Sequence, residues 1–142
     1  MPLQRTLAII KPDAVERRKT GAIIERLEAE GFSILAMKRM HLTLAQARAF
    51  YAVHRGRPFY EDLTRFMSRG PIVVMVLEAE NAVQRYRDVI GATDPSKAAE
   101  GTLRKLYGKD VGENALHGSD SPETAQTEVL YFFAGYEFIP IA

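Results

Sequence analysis

A chain of 142 residues with 46% apolar and 26% charged residues suits one soluble domain with a proper core. Nineteen basic residues against eighteen acidic ones leave a net charge of +1, so bulk charge gives no support to a nucleic-acid role. The absence of cysteine excludes disulfides, thiolate nucleophiles and cysteine-based metal sites, and suits the cytoplasm.

The start, Met1 to Thr6, lacks a basic segment followed by a long apolar one, so no signal peptide is read. The longest apolar run, Ile72 to Leu77, is too short to span a bilayer, and no membrane partner is expected. Leu7 to Ile10 reads as a short buried strand, stopped at Pro12 because the residue before a proline is biased to extended backbone. Thr20 is a candidate N-cap for a helix carrying Ile23, Ile24 and Leu27, with Gly31 at its stop. Phe32 to His41 follows as a strand, apolar on both faces and so expected inside the sheet or against neighbours on each side.

Thr43 and Gln46 have capping-box spacing and open a helix on which Leu44, Ala47, Tyr51 and His54 share a side. Arg55 to Pro58 breaks it. Phe59, Leu63, Phe66 and Met67 form the stripe of the next helix, closed by Gly70-Pro71. Ile72 to Leu77 is a buried strand, and Val83, Tyr86, Val89 and Ile90 mark a helix ending at Gly91. From Gly91 to about Leu116 the pattern dissolves, apart from a helical turn at Thr102 to Leu106. A connection this long, carrying Thr93, Lys97, Arg104, Lys105 and Lys109, is expected to be functional. Ser121-Pro122 then gives an N-cap and a first-turn proline, and the apolar tail from Leu130 to Ile141 is expected to close the sheet. This order suits a ferredoxin-like α+β sandwich, a split β-α-β arrangement in which a four-stranded antiparallel sheet carries helices on one face.

His117-Gly118-Ser119-Asp120-Ser121 carries the most chemistry. A histidine stands directly before a capped helix whose N-terminus favours anions, and Glu128 lies about two turns into that helix. Neutral imidazole is a competent nucleophile once one ring nitrogen is fixed by a hydrogen bond. On these residues alone a polar loop that merely caps the helix serves as well. Lys11 stands at a strand end, where it could neutralise a phosphate oxygen or be an ordinary surface lysine. Arg87 and Arg104 are candidate phosphate forks or solvated charges, and Phe59 is a candidate base-stacking ring or a core residue. No phosphate-binding glycine loop or dinucleotide fingerprint occurs. His41, His54 and His117 lack zinc spacing, and His54 reads as a satisfied helix histidine. Ser119, His117 and Asp120 lie too close in sequence to form a hydrolase triad. A sheet-based RNA binder, the main rival, lacks the adjacent strand aromatics it needs.

In order along the chain, Thr6 to Val15 with its Lys11-Pro12-Asp13, Arg57-Pro58-Phe59-Tyr60, Ser68-Arg69-Gly70-Pro71, Gly91 to Pro95, Gly101-Thr102-Leu103-Arg104 and Asn114 to Ser121 resemble the nucleoside diphosphate kinases. The resemblance spans essentially the whole chain, and Asn-x-x-His-Gly-Ser-Asp is its most specific motif. It implies transfer of a terminal phosphoryl group between nucleotides by a ping-pong route through phosphorylated His117. In that family pattern His117 attacks through Nδ1 while a backbone carbonyl holds Nε2, and Glu128 and Ser119 support the ring. Lys11, Tyr51, Arg87, Thr93 and Arg104 match groups around the phosphates, and Asn114 matches a ribose contact working with Lys11. Phe59 and Val111 match the pair that sandwiches the base, with Leu63 lining the same cleft. Magnesium is expected to enter with the nucleotide, with no side-chain metal cage and at most a water-mediated role for Asp120. The resemblance also implies a homo-oligomer, tetramer or hexamer. One departure is Lys105-Leu106-Tyr107 after Arg104, where many relatives carry a small residue and an acid.

Overall fold

Side-chain alternation on two central strands sets the architecture. The computed structural model describes residues 2–139. Its first elements are β1 (Leu3–Ile10), α1 (Pro12–Glu16), α2 (Thr20–Ala29), β2 (Ser33–Met40) and α3 (Leu44–Phe50). Then come α4 (Tyr60–Ser68), β3 (Ile72–Glu80), α5 (Ala82–Ile90), α6 (Leu103–Tyr107), β4 (Leu116–Gly118) and α7 (Pro122–Phe132). The sheet order is β2-β3-β1-β4, with every neighbouring pair antiparallel, which is the ferredoxin-like arrangement. Among the described residues no helix is long and apolar enough to cross a membrane.

Helices cover both faces of the sheet, not one. Ala8 and Ile10 of β1 pack with Ile23, Leu27, Met75, Tyr86 and Leu103 on one side. Leu7 and Ile9 pack with Ala47, Met67, Val74, Val129 and Phe132 on the other. Continuous burial of Leu7 to Ile10 is the consequence: a strand covered twice leaves no face to water.

Other sequence expectations are corrected for similar reasons. Strand β2 lies at an edge, with Met37 52% exposed. Its apolar residues on both faces meet the helix layers above and below, with Ile34 on one core and Leu35 and Met40 on the other, while no strand among the described residues pairs with its outer edge. Among the described residues the tail does not close the sheet. Leu130 to Phe132 finish α7, Gly135–Glu137 make a single 3-10 turn, and Ile141 lies outside the described residues. The fourth strand is β4 instead, three residues long and too short to show a pattern in sequence. Pro12, read as a stop, also starts α1 at its first turn. Helix α2 begins at Thr20, but Lys19 is the N-cap and no side chain caps it.

Local signals elsewhere hold. Thr43 and Gln46 form a reciprocal capping box, Ser121 caps α7 through its hydroxyl, and Gly31 and Gly91 turn out of α2 and α5 at φ +93° and +88°.

Candidate active site

Pairing with β1 places Ile9 opposite His117, so the imidazole is carried by a strand at the margin of the core. From Ser121 the chain turns into α7, which brings Glu128 back over β4. Its Oε1 lies 2.9 Å from His117 Nε2 and accepts the Ser119 hydroxyl at 2.8 Å. Burial pushes the Glu128 carboxyl up, but the hydrogen bonds and charge of His117, with Ser119, outweigh it and hold the group below the ordinary range. A carboxylate can only accept, so Nε2 carries a ring proton, and in the neutral form of the ring the lone pair lies on Nδ1. The partner of Nε2 is thus this carboxylate rather than a backbone carbonyl. The carbonyl of His117 is engaged elsewhere, accepting from the Tyr86 hydroxyl at 2.9 Å. A Cβ on Gly118 would stand 2.9 Å from the Tyr86 ring, so glycine after His117 is what lets that ring pass beneath the strand. Phe50 and Tyr51 flank the imidazole at centroid distances of 5.5 and 6.2 Å. The Tyr51 hydroxyl is buried without a partner among the described residues; burial, then the charge on Glu128, keeps it protonated.

A second group meets this one at the end of β1. Lys11 adopts the extended backbone that a following proline imposes, and its Nζ donates to Asn114 Oδ1 at 2.9 Å. Asn114 Nδ2 donates in turn to the Thr93 carbonyl at 3.0 Å. The next residue, Ala115, is left-handed at φ +73°, a conformation that costs a side-chain-bearing residue about 1–2 kcal/mol. Two hydrogen bonds hold it there: its N–H donates to Asp13 Oδ2 at 3.1 Å, and its carbonyl accepts from the Lys11 N–H at 2.8 Å. Burial, then the neighbouring Arg104, lowers Lys11 to about 8, with Asp13 opposing them. Arg104 donates to the carbonyls of Gly91 at 2.9 Å and Leu116 at 2.8 Å, while its buried Nε has no partner among the described residues. Arg87 reaches Asp120 at 3.0 Å, both well exposed.

Phe59, Leu63 and Val111 line one cleft of about 400 Å³, together with Phe66 and Arg69. Phe59 and Val111 are 47% and 57% exposed, so apolar side chains stand open across this space. His54 lies on a 3-10 turn between Tyr51 and Phe59, at 6.2 and 5.3 Å, rather than in the body of a helix. A larger apolar groove of about 800 Å³ runs between the start of β1 and α7, but its charged lining pair, Arg5 and Glu78, is mutually satisfied at 3.0 Å. It offers nothing that could act on a phosphate. Sequence reasoning missed Phe50, Tyr86 and Asp13. Only Asp13 carried a signal, as part of the Lys11-Pro12-Asp13 motif; Tyr86 reads as part of an apolar helix stripe, and nothing in the sequence singles out Phe50.

The family model for nucleoside diphosphate kinase matches residues 4–138. A nucleoside diphosphate kinase of Sorangium cellulosum (strain So ce56) is 66% identical over 142 residues, covering 100% of this chain and 99% of that protein. One from Rhodopseudomonas palustris (strain HaA2) is 58% identical over 139 residues, 98% of this chain and 99% of the relative. Among solved structures, the Aquifex aeolicus enzyme superimposes with a TM-score of 0.94 at 47% identity, over 97% of this chain and 100% of that one. The halophilic enzyme of Halobacterium salinarum, in complex with CDP, gives 0.93 at 37% identity, over 98% and 93%. The chain therefore belongs to the nucleoside diphosphate kinase family and is an enzyme that transfers the terminal phosphoryl group between nucleoside triphosphates and diphosphates.

Proposed function

We propose that His117 carries the phosphoryl group in this chain, acting through Nδ1. The observation that carries the reading is the contact of Nε2 with Glu128, which fixes the tautomer and leaves Nδ1 with no partner among the described residues. In the first half-reaction the Nδ1 lone pair attacks the γ-phosphorus of a nucleoside triphosphate. The bond from that phosphorus to the β–γ bridging oxygen breaks, and the diphosphate leaves with the oxygen. In the second, a terminal oxygen of another diphosphate attacks the same phosphorus and the P–N bond breaks. Positive charge developing on the ring is offset by Glu128, itself steadied by Ser119.

The phosphates would lie among Lys11, Tyr51, Arg87, Thr93 and Arg104, with Asn114 holding Lys11 and contacting the ribose. Buried donors without partners on Tyr51 and Arg104 support that placement, since a buried polar group left unpaired is costly until something accepts from it. The base would lie between Phe59 and Val111 beside Leu63. Stacking of this kind tolerates any base, which favours broad nucleotide use. Magnesium would enter with the nucleotide as part of the substrate and would offset charge on its phosphates. The whole chain acts as one catalytic domain in the cytoplasm, where nucleotide pools lie. The outer edge of β2, unpaired among the described residues, supports assembly into a homo-oligomer, tetramer or hexamer, because bare edges are usually covered.

His117→Gln is expected to abolish transfer while nucleotide still binds, as read by coupled turnover and by equilibrium titration. Turnover in that variant contradicts the assignment.

A further inference from the structure

One buried carboxylate takes no part in the transfer described above. Asp13 is 1% exposed, sits in the first turn of α1, and faces the loop that leads into β4 from 102 residues away in sequence. Its Oδ2 accepts the N–H of Ala115, and its Oδ1 has no partner among the described residues. Ala115 is the left-handed residue between Asn114 and β4, and a non-glycine residue stays in that region only when its surroundings hold it there. Those surroundings are one short stretch of chain. The Lys11 N–H holds the Ala115 carbonyl, Asp13 holds the Ala115 N–H, and the Lys11 side chain meets Asn114 immediately before it. The Lys11-Pro12-Asp13 turn therefore grips Asn114-Ala115 at three points.

We propose that Asp13 is a positioning residue of the phosphate site, fixing the left-handed turn at Ala115 through its carboxylate and so holding Asn114 against the Lys11 ammonium. The inference rests on the roles given to Lys11 and Asn114 under the proposed function. Proline between Lys11 and Asp13 makes the grip rigid, because its fixed φ starts α1 at once and sets where the carboxylate points. The same carboxylate has an electrostatic effect on the lysine. Lys11 is faced by the cation Arg104 from α6 and by Asp13 from α1, while the loop before β4 presents the neutral Asn114. Asp13 is faced in turn by Lys11 and Arg17. Burial pushes the Asp13 carboxyl up, and as an anion it offsets part of the lowering of Lys11 by burial and Arg104.

Two variants test this on the full-length protein. Asp13→Asn retains a carbonyl oxygen for the Ala115 N–H and loses the charge, whereas Asp13→Ala loses both. The readouts are the single-turnover rate of His117 phosphorylation by Mg-ATP, and the pH profile of kcat/KM for GDP. Asp13→Ala is expected to slow phosphorylation roughly ten- to a hundredfold, with Asp13→Asn clearly faster than Asp13→Ala. In Asp13→Asn the alkaline fall of kcat/KM is expected at lower pH than in the wild type. A residue needed only for folding lowers thermal stability without moving that limb. If Asp13→Ala does not fold, the limb in Asp13→Asn decides alone. An unmoved limb, or an Asp13→Ala variant as fast as Asp13→Asn, overturns the proposal. Lys11→Met run alongside keeps the two readings apart: full turnover without the ammonium removes the role of Lys11 itself, whatever Asp13 does.

Discussion

Lys11 Nζ and Asn114 Oδ1 lie 2.9 Å apart, joining the end of the first strand to the residues that lead into the strand carrying His117. The contact is buried, and under the proposed function the lysine supplies the charge that the phosphate needs. Because burial and Arg104 lower Lys11 to about 8, the free enzyme is predicted to lose kcat/KM as pH rises through that value. Bound phosphates favour the ammonium, so the corresponding fall in kcat is expected at higher pH. Lys11→Arg keeps its charge throughout, and its kcat/KM profile should show no fall near pH 8. A wild-type profile flat well into the alkaline range contradicts this reading of Lys11.

Glu128 gives a prediction at the other end of the scale. Its carboxyl is held below 4.5 in the folded chain, so the unfolded chain takes up the proton first as pH falls. The stability it contributes is complete above its unfolded value near 4.5 and is lost as pH drops through the lower folded value. Glu128→Gln should weaken that acid dependence in thermal melts between about pH 3 and 6. It should also slow His117 phosphorylation by roughly a hundredfold, since the ring loses its fixed tautomer and its counter-charge. Wild-type rates in Glu128→Gln would remove Glu128 from the mechanism.

Gly118 tests whether the ring beneath β4 matters. An added Cβ would stand 2.9 Å from Tyr86, so Gly118→Ala must displace the ring whose hydroxyl holds the His117 carbonyl. Overpacking of this kind costs about 1–3 kcal/mol, measurable by urea denaturation. Phosphorylation should slow in parallel. Unchanged stability means that Tyr86 has room the packing does not show.

For the base cleft, Phe59→Ala removes one wall of the space opposite Val111. Stacking on an aromatic ring is worth about 1–3 kcal/mol per base, so KM should rise roughly ten- to a hundredfold for adenine, guanine and cytosine substrates alike, with kcat little changed. A loss confined to one base would point to edge recognition instead.

The sequence made most of this legible where local physics acts alone. The capped start of α7 follows from Ser121-Pro122, the capping box of α3 from Thr43 and Gln46, and the extended Lys11 from the proline after it. The meeting of Lys11 and Asn114, far apart in sequence, follows from the order of the motifs, which pairs the two. What could not be read depends on tertiary partners. Strand β4 is defined by its register with β1 rather than by its own three residues. The edge position of β2 is invisible because residues facing helices on both sides look the same at an edge as in the middle. The bond from Nε2 to Glu128 needed the turn of α7 to be seen. Tyr86 reads as part of an apolar helix stripe and nothing in the sequence singles out Phe50, so neither contact with His117 could be foreseen.

The most direct test of the central claim is to incubate the protein with γ-labelled ATP and magnesium, isolate it, and chase with GDP or CDP. The account predicts an acid-labile, base-stable label on His117 that leaves quantitatively for the added diphosphate and is absent from His117→Gln. A folded, nucleotide-binding protein that takes up no label, or holds it on another residue, contradicts the claim that His117 carries the phosphoryl group.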